Sequence, residues 1–227
     1  MNSPIRWGIL GTGSIAKKFA EGLASVPDAR LVAVGSRAAS TAQAFGAQYQ
    51  VPRCHASYEA LARDPEIDAI YISTPHTLHC ENTLLCLGEG KAVLCEKPFA
   101  TNHAEAMVML EACRKHKVFM LEAFMWRCHP GTAQWLKLLR EGIIGDIRHI
   151  EAYFGFNVGE NFAHSRLSNE QASGGIQDVG CYAMSACRLI AGAAVGAEFS
   201  DPESVVGAAE IGRTGVDEWA AATNSRG

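Results

Sequence analysis

Along its first half the chain alternates short apolar runs with amphipathic stretches. Residues 5–10, IRWGIL, form an apolar run that stops at Gly11, the pattern of a parallel strand buried on both faces. From Ser14 to Ser25 the apolar residues Ile15, Phe19 and Leu23 recur every fourth position, which predicts a helix with one buried stripe. The same rhythm predicts strands over 31–35, 67–73, 91–95 and 118–121. Helices are predicted over 41–49, 78–87 and 103–115. Punctuation supports these limits, because Thr74-Pro75 closes the third strand and Gly88 with Gly90 closes the third helix. Strands alternating with helices at this spacing imply right-handed crossovers and a parallel sheet covered on both faces.

The rhythm changes after Ala123. A helix is predicted over 132–140, a longer strand over 146–156 (DIRHIEAYFGF), a helix over 179–190, and strands over 204–211 and 216–222. The first domain is therefore expected to span 1–123. The second, 124–227, is expected to be an α+β unit whose strands pair without crossover helices.

Composition narrows the function classes. Of the 227 residues 48% are hydrophobic and 19% charged, and the net charge of −4 offers no attraction to nucleic acid or to an anionic membrane. The N-terminal MNSPIRWGIL lacks the basic segment and apolar run of a secretory signal, and no apolar stretch is long enough for a bilayer. Eight cysteines without a CxxC pair read as reduced, mostly buried thiols of a cytoplasmic protein.

Candidate chemistry sits where the strands end. Gly11-Thr12-Gly13-Ser14-Ile15-Ala16, between the first strand and the first helix, fits a dinucleotide fingerprint. Its first glycine makes the turn, its second lets backbone approach a pyrophosphate, and the helix offers N–H groups to that anion. At the end of the second strand, where NAD binders commonly place an acid for the ribose hydroxyl, stand Ser36 and Arg37. A hydroxyl and a guanidinium suit a 2′-phosphate, so NADP is expected over NAD, although Arg37 could also be a solvated loop residue. Thr74, Pro75, His76 and His79 follow the third strand on the same edge. The two histidines lack a third ligand at metal-binding spacing, so no metal is expected. His79 reads as a hydrogen-bonding group near the cofactor or as a structural histidine.

Glu96, Lys97 and Pro98 close the fourth strand and project from that edge. A desolvated ammonium gives up its proton more readily, which suits acid–base transfer, and a following proline restrains the backbone. Lys97 is thus the catalytic candidate. In the second half, GGIQDVGCY places Asp178 and Tyr182 four residues apart, on one face if a helix begins near Asp178. Asp178 has an alternative use as a helix N-cap, and Tyr182 as a core residue. A phenol titrates near 10 unless a cation lowers it, and Lys97 could be that cation.

Taken in order, GTGSIA, SR, DAIYISTPHTLH, GKAVLCEKP, EAFMWRCHP and GGIQDVGCY resemble the Gfo/Idh/MocA oxidoreductase family along nearly the whole chain. The resemblance implies a Rossmann doubly wound α/β domain followed by an α+β domain whose open, largely antiparallel sheet backs a substrate cleft and often forms a dimer. Lys97 matches the family's catalytic lysine. Asp178 and Tyr182 match a D-x-x-x-[HY] site, in the tyrosine form of the branch that includes dihydrodiol dehydrogenase, xylose dehydrogenase and glucose-fructose oxidoreductase. Trp126 and Arg127 match a segment that passes near the nicotinamide. Family members continue beyond the strand containing DEWAAAT, so the second sheet is expected to be incomplete here. The function so implied is NADP-dependent hydride transfer with a sugar, polyol or dihydrodiol. The alternatives are a non-catalytic dinucleotide sensor and an NAD(P)-dependent glycoside hydrolase.

Overall fold

The computed structural model describes residues 3–159 and 161–225, which divide into two compact units, 1–123 and 124–227. The first unit is a six-stranded parallel sheet with helices on both faces, a Rossmann-like α/β fold. Its elements are β1 (Ile5–Leu10), α1 (Ser14–Leu23), β2 (Ala29–Gly35), α2 (Ala39–Tyr49), β3 (Arg53–His55), α3 (Tyr58–Ala62), β4 (Ala69–Ile72), α4 (His79–Gly88), β5 (Ala92–Cys95), α5 (His103–His116) and β6 (Met120–Glu122). The strand order β3-β2-β1-β4-β5-β6 reverses direction between β1 and β4.

Alternation along each strand builds two cores. Leu10, Ala33, Ile70, Ile72, Val93 and Cys95 point to one face, where Leu61, Leu87 and Met109 of α3, α4 and α5 cover them. Ile9, Val34 and Tyr71 point to the other face, against Ala16 and Ala20 of α1 and Phe45 of α2. All six strand residues of the first set and all three of the second are at most 2% exposed, and each full aliphatic burial contributes about 1.5–3 kcal/mol.

The sixth strand, β3, and the short helix α3 lie outside the sequence expectation. Arg53–His55 is a three-residue edge strand with no apolar run to announce it. It is held in place by charge instead. Asp64, after α3, accepts from His55 Nε2 at 2.9 Å and from the Glu66 N–H at 2.9 Å, and pairs with Arg53 Nε at 3.1 Å.

The second unit contains α6 (Pro130–Arg140), a π-helical turn (Ile176–Gly180) leading into α7 (Cys181–Ala194), and an antiparallel hairpin of β7 (Ser204–Ile211) and β8 (Asp217–Ser225). The expected strand over 146–156 does not form. That segment has no regular secondary structure and is mostly exposed, with Tyr153 92% accessible. Alternation makes a segment competent to pair, but a strand needs a partner. Strands β7 and β8 pair only with each other, and among the described residues no strand pairs with 146–156. The sheet of this unit is accordingly two-stranded. Of the cysteines only Cys86 and Cys95 are buried, both with thiols pushed up to about 12 by burial, while Cys54 and Cys128 are exposed, so "mostly buried" does not hold. Among the described residues no helix is long and apolar enough to cross a membrane, and no cluster of His, Cys, Asp or Glu could hold a metal.

Burial alone would raise the Asp64 carboxyl, but the Glu66 N–H, His55 and Arg53 outweigh it and hold the group below its usual range. A carboxylate depressed in the folded state adds stability above its unfolded value, near 3.9, and loses it as pH falls through the folded value. Asp64→Asn should therefore cost about 1–3 kcal/mol at pH 7. The penalty should shrink below about pH 4. Urea unfolding of the full chain at pH 7 and pH 3 measures this, and a penalty equal at both pH values would show that the charge is not what matters.

Candidate active site

The register of the sheet sets the site of the first unit. Gly35, Leu10, Ile72, Cys95 and Glu122 lie side by side across β2, β1, β4, β5 and β6. The residues that follow them, Ser36, Gly11, Ser73 and Glu96, leave the sheet together at its carboxyl edge. That edge also contains the point where strand order reverses, the usual location of a ligand crevice in such sheets.

Gly11 adopts φ +104°, and a Cβ there would lie 2.9 Å from Ser73 Oγ, so both backbone and space require glycine. Gly13 differs. Its φ of −72° suits any residue, and a Cβ would meet no protein atom within 4 Å. No internal packing explains that glycine, whereas close approach by a ligand would. Thr12 completes the turn, and Ser14 and Ile15 open α1, whose N-terminus has no side-chain cap and no acid in its first turn. These donors fit a pyrophosphate.

Ser36 is buried, and its hydroxyl lies 2.6 Å from Thr41 Oγ1. Thr41 gives its own proton to the Ala38 carbonyl, so Ser36 donates to Thr41 and its hydrogen is used internally. The anion-binding part of the Ser-Arg pair thus falls to Arg37. This side chain lines a cavity of about 350 Å³ with Tyr58, Ser57, Leu78, Asn82 and two acids, Glu59 and Glu81. Burial raises the Tyr58 phenol, and Arg37 beside it pulls the shift back.

Thr74 and Pro75 lead into a 3-10 turn, His76–Leu78, ahead of α4. The His76 and His79 rings lie 5.8 Å apart. His79 is fully buried, with Nδ1 2.8 Å from the Pro98 carbonyl and Nε2 2.9 Å from the Thr74 carbonyl. It therefore stands between the loop after β4 and the loop after β5, against one backbone carbonyl of each. Burial lowers its pKa, and the two carbonyls oppose the shift without overturning it. A neutral ring has one N–H, so it donates to one carbonyl at a time.

Lys97 sits in a loop gripped on every side. Glu96 Oε1 accepts from the Tyr71 hydroxyl at 2.5 Å and Oε2 from the Lys97 N–H at 3.2 Å. Glu122 Oε1 accepts from the Phe99 N–H at 2.8 Å. The Lys97–Pro98 peptide is cis. Burial raises the Glu96 carboxyl, with Tyr71, the Lys97 N–H and the Lys97 charge acting against it. Tyr71 is itself fixed by stacking on Phe19 at 3.9 Å. Glu122 and Tyr71 were not anticipated as site residues; both belong to strands, and only their register with β5, Glu122 beside Cys95 and Tyr71 beside Leu94, reveals them.

In the second unit, Asp178 lies inside the π-helical turn rather than capping a helix, and its carboxylate pairs with Arg166 Nε at 2.7 Å. Tyr182 begins α7, stacked on Phe124 at 4.9 Å with Phe154 edge-on at 5.5 Å. Together with Trp126 and Tyr153 it lines a cavity of about 450 Å³. Trp126 stacks on Trp135, and Arg127 lies over the Phe199 ring at 4.5 Å.

Comparison with known proteins agrees with both units. Residues 5–124 match the oxidoreductase family with an NAD-binding Rossmann fold, and residues 132–224 match the GFO/IDH/MocA C-terminal domain. The chain belongs to the Gfo/Idh/MocA oxidoreductase family. It is 38% identical over 218 residues to trans-1,2-dihydrobenzene-1,2-diol dehydrogenase of Mus musculus and 34% identical over 218 residues to that of Homo sapiens. In each case the match covers 94% of this chain and 62% of the relative. It thus spans less than two thirds of their length. Among solved structures, the 3-ketoreductase KijD10 of Actinomadura kijaniata with NADP and TDP-benzene matches at 30% identity and TM-score 0.77, covering 83% of this chain and 58% of that one. Matching structures of the same ketoreductase carry a lysine replaced by alanine or glutamate, or a tyrosine replaced by phenylalanine.

The grip on the Lys97 loop is testable without any ligand. Glu122→Ala leaves the Phe99 N–H without its charged acceptor, an interaction worth about 1.5–3 kcal/mol. Exchange of the Phe99 amide should accelerate roughly 10- to 150-fold, with the β4 amides unchanged. Wild-type exchange at Phe99 in the variant would remove Glu122 from the grip.

Proposed function

We propose that the protein is an NADP-dependent oxidoreductase that interconverts a secondary alcohol and a carbonyl on a sugar, polyol or dihydrodiol. The observation that supports this best is the shared sheet edge. The Gly11–Gly13 turn, the Thr74 loop and the gripped Lys97 loop all leave it beside the strand-order reversal. A bound nicotinamide dinucleotide would supply the hydride acceptor or donor. Gly11, Thr12, Gly13, Ser14 and Ile15 receive its pyrophosphate, Arg37 its 2′-phosphate, and Thr74, Pro75, His76, His79, Glu96, Lys97, Trp126 and Arg127 belong to the surroundings of its reactive end. Lys97 and Tyr182 manage the hydroxyl proton as a pair, with Asp178 holding substrate or tyrosine in position. The dihydrodiol dehydrogenase relatives and the NADP-bound ketoreductase favour this substrate class and cofactor. We place the protein in a reducing, cytoplasmic setting on its cysteine usage. The apolar exposed hairpin residues Val205, Val206 and Trp219 suit a homodimer, which light scattering of the full chain would test.

Absorbance of the reduced nicotinamide, recorded with NADP and trans-1,2-dihydrobenzene-1,2-diol or a panel of sugars, tests the activity. No reduction with any of them would count against it. For the cofactor, Arg37→Asp removes a charge-assisted contact and introduces repulsion. The preference for NADP over NAD should fall by roughly 10- to 150-fold, or about 1.5–3 kcal/mol. Equal binding of both cofactors by the wild type, unchanged in the variant, would sink the NADP assignment.

Lys97→Met should lower kcat by about 10²–10⁴ with cofactor affinity nearly intact, and Tyr182→Phe similarly. Because the two act as a unit, the double variant should lose much less than the product of the single losses. Fully multiplicative losses would mean that the two groups work independently.

A further inference from the structure

We propose that Asp217 is a positioning residue whose carboxylate fixes the glycine turn from which Asp178 and Tyr182 project. The inference rests on the reading of those two residues as part of the reacting site. Asp217 opens β8, where it pairs with Ile211, so its backbone is anchored in the hairpin. Its Oδ2 accepts the Ile176 N–H at 2.6 Å. Ile176 opens the π-helical turn, and the first N–H groups of a helical stretch have no partner within it. Neither Gly175 nor Gly180, at the N-cap positions of the π-helical turn and of α7, can provide a side-chain cap, so a distant carboxylate does so. Its negative charge also complements the positive end of the helical dipole.

The same contact explains the glycine pair of GGIQDVGCY. Gly174 has φ +124°, and a Cβ there would fall on Asp217 Oδ1. Gly175 has an ordinary helical φ of −61°, yet its Cβ would stand only 3.1 Å from Asp217 Oδ2. Both positions are small so that the carboxylate can lie against the turn. The link to the reacting groups is direct, because the Asp178 N–H donates to the Gly174 carbonyl at 2.9 Å and Tyr182 follows in the first turn of α7. Shifting Gly174 moves Asp178, and misplacement by about 1 Å can cost on the order of 10²-fold in rate.

The test uses the full chain as Asp217→Ala, Asp217→Asn, Gly175→Ala and Gly175→Ala with Asp217→Ala. Amide exchange over residues 176–182 is read by mass spectrometry, NADPH affinity by nicotinamide fluorescence, and kcat with the diol and NADP. Asp217→Ala should speed exchange at Ile176 about 10-fold or more and lower kcat about 10- to 100-fold, with NADPH affinity within about twofold. Asp217→Asn keeps an acceptor oxygen but loses the charge, and should fall between wild type and Asp217→Ala in exchange and rate. Gly175→Ala alone should lower kcat, but should cost little more when Asp217 is already alanine, since its methyl then meets no carboxylate. Wild-type exchange in Asp217→Ala would overturn the attachment, and faster exchange with unchanged kcat would overturn the positioning role. Absence of turnover in the wild type would fail the proposed activity instead, and the exchange measurements and the glycine epistasis in them would still decide the attachment.

Discussion

The backbone from Glu96 to Phe99 is held at three atoms by side chains from three places. Glu96 turns back on the Lys97 N–H, His79 of α4 reaches the Pro98 carbonyl, and Glu122 of β6 takes the Phe99 N–H. Glu96 is itself secured by Tyr71, and the His79 ring lies between the Pro98 and Thr74 carbonyls, donating to one of them at a time. Two of the holders are carboxylates, and a hydrogen bond to a charged group stabilises by about 1.5–3 kcal/mol, more than a neutral pair. A lysine has long, flexible side-chain carbons and tolerates much backbone motion when it serves only for solubility. Here the backbone beneath it is bound by carboxylates at the Lys97 and Phe99 N–H groups. Such restraint suits a group that must meet a reacting atom at a fixed distance.

That grip depends on the register of the sheet. Tyr71, Glu96 and Glu122 can converge only because Ile72, Cys95 and Glu122 are level across β4, β5 and β6. A one-residue slip would turn every side chain of the slipped strand to the opposite face. The register is enforced from both faces at once. Ile70 and Ile72 fit one core and Tyr71 the other, so a slipped β4 would push aliphatic groups into the aromatic stack of Phe19 and the phenol into the aliphatic layer. The bulk of the cores therefore fixes polar atoms at the edge to within hydrogen-bonding tolerance.

The sequence reveals what rests on local pattern. Apolar runs ending in Gly11, Ser36 and Thr74-Pro75 identify β1, β2 and β4 with their ligand-side loops, and Lys97 stands out because it follows such a run. What escapes is structure that rests on partners far along the chain. β3 is too short and too polar for periodicity, and Asp64 with His55 and Arg53 holds it by charge. The segment 146–156 has the alternation of a strand without a partner among the described residues. Asp217 falls inside the expected strand over 216–222, and nothing local shows that its carboxylate lies against Gly174 and Gly175 and takes the Ile176 N–H, 41 residues earlier. The glycine pair is conspicuous in the sequence, but its cause lies elsewhere in the chain.

The glycines near the two candidate sites separate constraints that come from the fold from those that come from outside it. Gly11 and Gly174 have left-handed backbones, and each abuts a named side chain, Ser73 or Asp217, so the protein alone accounts for them. Gly13 has neither an unusual φ nor a neighbour within reach of a Cβ. As the N-cap of α1 it also leaves the first N–H groups of the helix open, a position where alanine is disfavoured. A glycine with open space around it, at a helix N-terminus without a side-chain cap and beside the strand-order reversal, leaves room for something that must come closer than a methyl group allows. The pyrophosphate of a dinucleotide has the charge for those N–H donors and requires that approach.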